Sequence, residues 1–408
     1  MGRFGDGLAV DADLTHAAER ATAQALEPLG GRAPDLAMVF VCGAEADDVA
    51  AAGERAAAAT GSRAVIGCSA PGVIGAGRGV EAASAVAVWC AVLPDVRVRT
   101  FHLEVMPASA GMAVVGLPER AGDDVVGVLL ADPWSFPVDG FIERSNAALD
   151  GLPLVGGLAS GLRGRGSTRL FLDGQSLDRG AVGVVLSGPV GARTLVSQGC
   201  RPIGEPMTVT GADGNVLLEL AGVAAKDKLE EILAALEPVD QALASRGLQL
   251  GIVMDEYAES HEHGDFVIRG IAGLDEHRHG LVIGDLVPIG RTVQFQLRDA
   301  ATADEDLRES LRRFRSTSSL DTVEGALLFS CNGRGAGLFA TADHDVDAVR
   351  AGLAAPTGVA GFFAAGEIGP VAGRNHVHGL TASILAFGSG TAADRGTSGV
   401  ATGAGHDI

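Results

Sequence analysis

Two short stretches hold the residues of this chain best suited to chemistry. In Phe329–Gly335, FSCNGRG, the residues Cys331, Asn332 and Arg334 follow an apolar run, with Gly333 and Gly335 on either side of the arginine. A guanidinium on such a turn clamps carboxylate or phosphate through two hydrogen bonds. In Gly358–Gly390 the chain breaks at Gly366, presents the single carboxylate Glu367, loops at Pro370 and Gly373, and then offers Asn375, His376 and His378 before an apolar run. Polar groups in a glycine-rich turn between buried strands expose backbone amides and admit a ligand closely. The two stretches together read as one small-ligand site. Arg334 takes an anionic group, Glu367 an amine or hydroxyl, and Asn375 and His378 orient the molecule. The competing reading is an internal Arg334–Glu367 salt bridge that fixes two loops. On the ligand reading, Arg334→Ala weakens binding and spares the fold.

Other constellations carry less. Cys42, Cys68 and Cys331 stand at strand ends or in a glycine turn. A thiolate among them would be reactive, whereas the bland alternative is three small buried apolar residues. Cys68 joins the candidate ligand contacts, and Cys68 or Cys331 with His378 as base is the reserve reading of a hydrolase or transferase. Three His-x-His pairs, His261/His263, His277/His279 and His376/His378, share a strand face if they lie on strands. The first lies in a polar loop and the second in a hairpin turn, so no metal is expected. His376 or His378 as an axial haem ligand would also require a large apolar pocket. No nucleophile elbow, phosphate loop, zinc-protease or dinucleotide motif follows a strand.

The elements that must position these residues recur in a fixed order of strand, helix, glycine turn and strand. Val65–Gly75, VIGCSAPGVIG, aligns without gaps over Val359–Gly369, VAGFFAAGEIG, matching Gly67 with Gly361, Gly72 with Gly366 and Ile74 with Ile368. Leu154–Gly161 fits the same frame at Gly156 and Gly161. Three copies argue for a repeated supersecondary unit. Between the second and third copies lie short strands, the helix Ala224–Leu236 and a meander over Asp265–Asp299. Ala85–Leu93 and Val96–Glu104 read as a strand pair, and Arg169–Gly188 as a hairpin. The fold class expected is α/β (α+β), with mixed, largely antiparallel sheets covered by helices in two domains. The expected limits are a helical lead-in over 1–29, domains over 30–222 and 223–388, and a disordered Gly/Thr/Ala-rich tail over 389–408.

The chain has 408 residues, 47% of them hydrophobic, enough for sizeable cores. Its net charge of −20 repels phosphate backbones and anionic membranes, which excludes nucleic acid and membrane as default partners. The N-terminal stretch has no apolar core of the kind a secretory signal carries, so none is expected, and no apolar run reaches membrane-spanning length. Five cysteines without a CxxC pair read as cytosolic thiols, so the expected location is cytoplasmic.

FSCNGRG (Phe329–Gly335), GFFAAGEIGP (Gly361–Pro370), GRNHVHGLTASILAF (Gly373–Phe387) and GDLVPIGRTVQFQLRDA (Gly284–Ala300) resemble the C-terminal part of FIST domains, and GCSAPGVIG (Gly67–Gly75) with its flanking strands resembles the N-terminal part. The resemblance covers roughly residues 30–388. It implies a sensory module that binds a small ligand such as an amino acid; with no kinase, cyclase, methyl-accepting or F-box segment read in these residues, the signal is expected to pass to a separate protein. One branch resembles haem-binding nitric oxide sensors, which makes haem the alternative and no cofactor the first expectation. Gly379 departs from the Asn that follows the His in many relatives.

Overall fold

The computed structural model describes residues 2–108, 111–162, 166–257 and 264–389. The tail expected to be disordered over 389–408 lies outside the described residues from Gly390 on, while Ser389 belongs to the strand Thr381–Ser389.

Three of its sheets share one plan. In each, a parallel pair of buried strands is joined by a crossover helix. Leu36–Cys42 and Val65–Ser69 are linked through Ala46–Thr60, Asp124–Ala131 and Leu154–Leu158 through Val138–Ala148, and Thr322–Cys331 and Gly358–Ala364 through His344–Gly352. Such strands are apolar throughout because helices and core cover both faces. An antiparallel neighbour flanks the first strand of each pair: Ala85–Val92, Ala181–Ser187 and Thr381–Ser389.

The second strand of each pair then sends its hairpin into another sheet. Gly72–Gly75 joins Gly358–Ala364, Leu170–Leu172 joins Val65–Ser69, and Glu367–Val371 joins Leu154–Leu158. The exchange closes a ring of three. The inner faces of all three sheets supply one central core, with Phe40 and Trp89 from the first sheet, Val128 and Val182 from the second, and Phe329, Phe362 and Phe387 from the third. The Phe40 and Phe362 ring centroids lie 5.2 Å apart across it. Separate apolar clusters fill the space under the outer helices.

This exchange explains where local reading went astray. Arg97–Ala108 pairs with Ala181–Ser187, not with the adjacent Ala85–Val92. Within Arg169–Gly188 only Leu170–Leu172 and Gln175–Leu177 form the hairpin, and Ala181–Ser187 departs to the second sheet. The lead-in is not wholly helical: Arg3–Val10 is a strand on the edge of the first sheet, before the helix Leu14–Leu26. Its two glycines, Gly5 and Gly7, mask the strand pattern, and they are required because a Cβ would fall 2.2 Å and 2.1 Å from carbonyl oxygens of that helix.

A fourth, antiparallel sheet is inserted into the third unit, between Ala192–Gln198 and the helix Ala300–Thr317. Thr292–Arg298 lies inside this sheet between Cys200–Asp213 and Leu248–Val253, so Asp265–Asp299 is not a simple meander. The sheet carries its own core around Leu250, Val293 and Phe295.

The repeated glycine has a physical cause. Gly67, Gly156 and Gly361 pair with Val39, Leu129 and Leu328 on the parallel neighbour. A Cβ at these glycines would stand 2.0, 1.9 and 1.7 Å from the carbonyl oxygens of those partners. Backbone atoms cannot yield as a flexible side chain can. Gly67→Ala and Gly361→Ala are each expected to cost about 1–3 kcal/mol or more by overpacking, read as a lower urea midpoint, whereas Gly337→Ala, with nothing near its Cβ, stays within about 0.5 kcal/mol of wild type.

Candidate functional site

The polar groups gather at the C-terminal end of the parallel pair in the third sheet, where open α/β sheets place their ligands. After Cys331 the chain turns tightly: Asn332 N donates to Ala364 O at 2.8 Å, and Arg334 N to Cys331 O at 2.8 Å. The turn sends the Arg334 side chain fully inside. Its Nε and Nη2 donate to the two carboxylate oxygens of Asp345 at 2.7 and 2.9 Å. Ser330 Oγ donates to the same carboxylate at 2.6 Å, and the His344 ring lies 2.9 Å from it. Burial pushes the Asp345 carboxyl up, but Arg334 and these hydrogen bonds outweigh it and hold the group well below the usual carboxylate range. The partner of Arg334 is therefore Asp345 and not Glu367.

Glu367 opens the exchanged hairpin, between Gly157 on one side and His378 on the other. One oxygen, Oε2, accepts from Thr381 N at 3.0 Å and Thr381 Oγ1 at 2.9 Å. The other, Oε1, is enclosed and has no partner. Burial pushes the carboxyl up to about 8 against the pull of Thr381, the Cys331 thiol and Arg334. Glu367 is thus largely protonated at neutral pH. Burial, reinforced by Glu367, in turn raises the Cys331 thiol. His378 is enclosed with its Nε2 3.0 Å from Gly369 O. That carbonyl can only accept, so Nε2 carries the proton and the bare Nδ1 has no partner. Burial drives this imidazole down to about 3.

The strand registers identify the counterparts of these residues at the other two crossings. Glu367 corresponds to Val73 and Leu170, each the hairpin residue just before the one that faces the repeated glycine. His378 corresponds to their partners Val80 and Leu177. Cys331 corresponds to Cys42 and, one residue beyond Ala131, to Asp132. Two crossings are aliphatic where the third is polar.

The remaining predicted residues divide. Asn332 is exposed at the turn. The Asn375 amide is spent on backbone: Oδ1 accepts from Leu154 N and Nδ2 donates to Leu152 O, each at 2.9 Å. It pins the hairpin to the second sheet and does not face Glu367. Cys68 sits in the central apolar core, and burial alone raises its thiol, with no effect from Glu367 or Arg334. His277 and His279 lie in an exposed turn, and His261 and His263 lie outside the described residues. Among the described residues no cluster of three or more His, Cys, Asp or Glu is placed to hold a metal. His378 is enclosed and tied to Gly369, and the half-buried His376 lies beside it, with ring centroids 5.8 Å apart.

The sequence reading missed Ser330, Asp345, Thr381 and Arg298. Ser330, Thr381 and Arg298 each lie inside a quoted motif. Asp345 could be signalled only by the capacity of the first turn of a helix to face the preceding strand end.

The expectation that Arg334→Ala spares the fold needs correction. Removing Arg334 leaves the Asp345 carboxylate buried without its cation, which costs about 3–5 kcal/mol. The double variant Arg334→Met with Asp345→Leu is expected to recover most of that loss. Urea denaturation of the single and double variants measures both, and additive losses would show that the pair is not coupled.

Residues 35–223 match the FIST N domain and residues 225–370 the FIST C domain. The junction of these spans falls within the fourth sheet, between Val216–Leu220 and the helix Ala225–Ala235. The chain is 44% identical over 386 residues to an uncharacterized protein of Mycobacterium tuberculosis, covering 94% of this chain and 99% of the relative. It is 43% identical over 386 residues to an uncharacterized protein of Mycobacterium bovis, covering 94% and 98%. Among the described residues no helix is long and apolar enough to cross a membrane. FIST domains are associated with small-ligand sensing and signal transduction, and with both halves matched in order along most of its length this chain belongs to the FIST family.

Proposed function

We propose that this protein binds a small metabolite at the junction of the second and third sheets, and that it acts as a cytoplasmic sensor that signals through a separate protein. The observation that carries this is Glu367. The fold completes the same crossing with Val73 and with Leu170, so packing does not call for a carboxyl. Here one is fully buried with Oε1 unpartnered, an arrangement that costs stability unless a ligand completes it. A neutral carboxyl beside Thr381 can donate to or accept from an amine or hydroxyl, which fits an amino acid or a related metabolite. The cysteine-dependent enzyme is less well supported. Cys331 is held as a thiol, and His378, whose conjugate acid is strong, is a poor base toward it.

Native mass spectrometry of gently purified protein is the first test, with a retained small molecule expected in wild type and lost in Glu367→Gln. A Soret absorbance lost on replacing His378 would overturn the reading in favour of haem, and turnover abolished by Cys331→Ser would overturn it in favour of an enzyme.

The protonation of Glu367 has its own signature. The folded carboxyl keeps its proton up to about 8, while the unfolded one releases it near 4.5. Between those values the folded state binds more protons, so this contribution to stability falls as pH rises. His376 and His378 act oppositely, because burial lowers them to about 4 and about 3 and the unfolded residues titrate at 6.5. Their contribution rises with pH through the unfolded value of 6.5 and levels off about one pH unit above it. Both histidines are common to wild type and Glu367→Gln, so the difference between the two profiles isolates Glu367, with a slope of at most about 1.4 kcal/mol per pH unit. Wild type is expected to lose stability relative to Glu367→Gln between pH 4.5 and about 8. Parallel pH profiles in thermal unfolding would show that Glu367 is ionised in the folded protein.

A further inference from the structure

The fourth sheet brings a second guanidinium to the Glu367 junction. Arg298 closes the strand Thr292–Arg298 and donates from Nη2 to Gly333 O, the residue just before Arg334. Its Nε is shielded and unpartnered, and no carboxylate forms an ion pair with it among the described residues. The adjacent Asp299 is turned away, to Arg201 and to the first turn of the next helix. On Arg334, Asp345 takes Nε and Nη2 and leaves Nη1 enclosed without a partner. Both arginines act on the Cys200 thiol and pull it down against burial, so both positive charges bear on one locality.

Two glycines line that locality. A Cβ at Gly199 would stand 2.9 Å from Arg334 Nη1, and one at Gly333 would stand 3.7 Å from Arg298 Cζ. The charge count is uneven. Arg334 and Asp345 cancel, Glu367 is largely neutral, and Arg298 is left over in a chain of net charge −20. Arg298 is half-buried with its Nε covered, a covered donor without an acceptor is costly, and this protein has carboxylates to spare for every arginine.

We infer that Arg298 and Arg334 together form an anion seat for the carboxylate group of the ligand, with Arg298 Nε and Arg334 Nη1 as its donors. This deepens the reading of the Glu367 junction and rests on it: the seat takes the acid group, and Glu367 takes the amine or hydroxyl. Two single N–H donors, one for each oxygen, match a planar two-oxygen anion better than a tetrahedral one.

Arg298 is the residue to test, since it has no ion pair whose loss would unfold the protein. Calorimetric titration of the full chain with acetate at fixed ionic strength is expected to show binding that weakens about tenfold or more in Arg298→Gln, the loss of one charge-assisted hydrogen bond, and less in Arg298→Lys. Circular dichroism of each variant serves as the folding control. A crystal soaked in iodide is expected to show an anomalous peak within reach of both Arg298 Nε and Arg334 Nη1. Equal acetate affinity in wild type and Arg298→Gln, or no iodide peak between the two arginines, overturns the seat. Tighter binding of inorganic phosphate than of acetate overturns the carboxylate class. The parent reading fails separately: if Arg298→Gln loses acetate binding while Glu367→Gln retains the co-purified molecule, the anion seat stands and the role of Glu367 falls.

Discussion

The close contact between the two parallel strands of each unit is the constraint on which this architecture depends. At Gly67, Gly156 and Gly361 the second strand lies against carbonyl oxygens of the first so tightly that no side chain fits. Each contact sits at the point where another unit's hairpin pairs, opposite Phe171, Ile368 and Ile74. The hairpin is therefore seated on a strand that carries no side chain at that point. The three units cannot be separated without breaking a sheet, because each finishes its neighbour. The central core, with Phe40 from the first sheet against Phe362 from the third, exists only once the ring is closed.

The glycine frame made part of this legible in sequence. Steric exclusion by backbone leaves a local signature: the residue must be glycine, and its spacing to the next strand is fixed. Strand exchange leaves none. Glu367 pairs with Gly157 across more than two hundred positions, and nothing in either segment names the other, so sequence neighbours were paired with each other instead. The site behaved similarly. Glu367, Arg334 and Cys331 were recognisable as polar or reactive residues at glycine turns, and the structure brings these three together. Their partners were not recognisable, because a buried arginine takes whichever carboxylate the fold brings nearest. That carboxylate comes from the helix after the turn, not from the exchanged hairpin.

Internal repetition supplies a control that a single site lacks. Where one fold position occurs three times in one chain, the residues that packing requires are those the three copies share. The glycines pass that test. Glu367 and His378 do not, since aliphatic pairs complete the same crossing twice. The polar character of the third crossing is thus an addition to the fold, and its unpaired atoms weaken the structure locally. The packing of the other two crossings does not account for them.

The inserted sheet is fastened to this third crossing. Its two ends are Cys200 and Arg298, which face each other as the first pair of its ladder. Gln198, just before this neck, is fastened by its side chain to Phe266 O at 2.8 Å and by its backbone to Asp306 at 2.8 Å. On the far side of the site, Arg269 of the same sheet donates to Val377 O at 2.8 Å and pairs with Asp285 at 2.6 Å. The fourth sheet therefore holds the junction at both its neck and the hairpin that carries Glu367. A rigid sheet attached at two points transmits a small displacement at either one along its length, because packed elements shift as units and do not deform smoothly. The insertion is thus tied to the ring at the two places that flank Glu367.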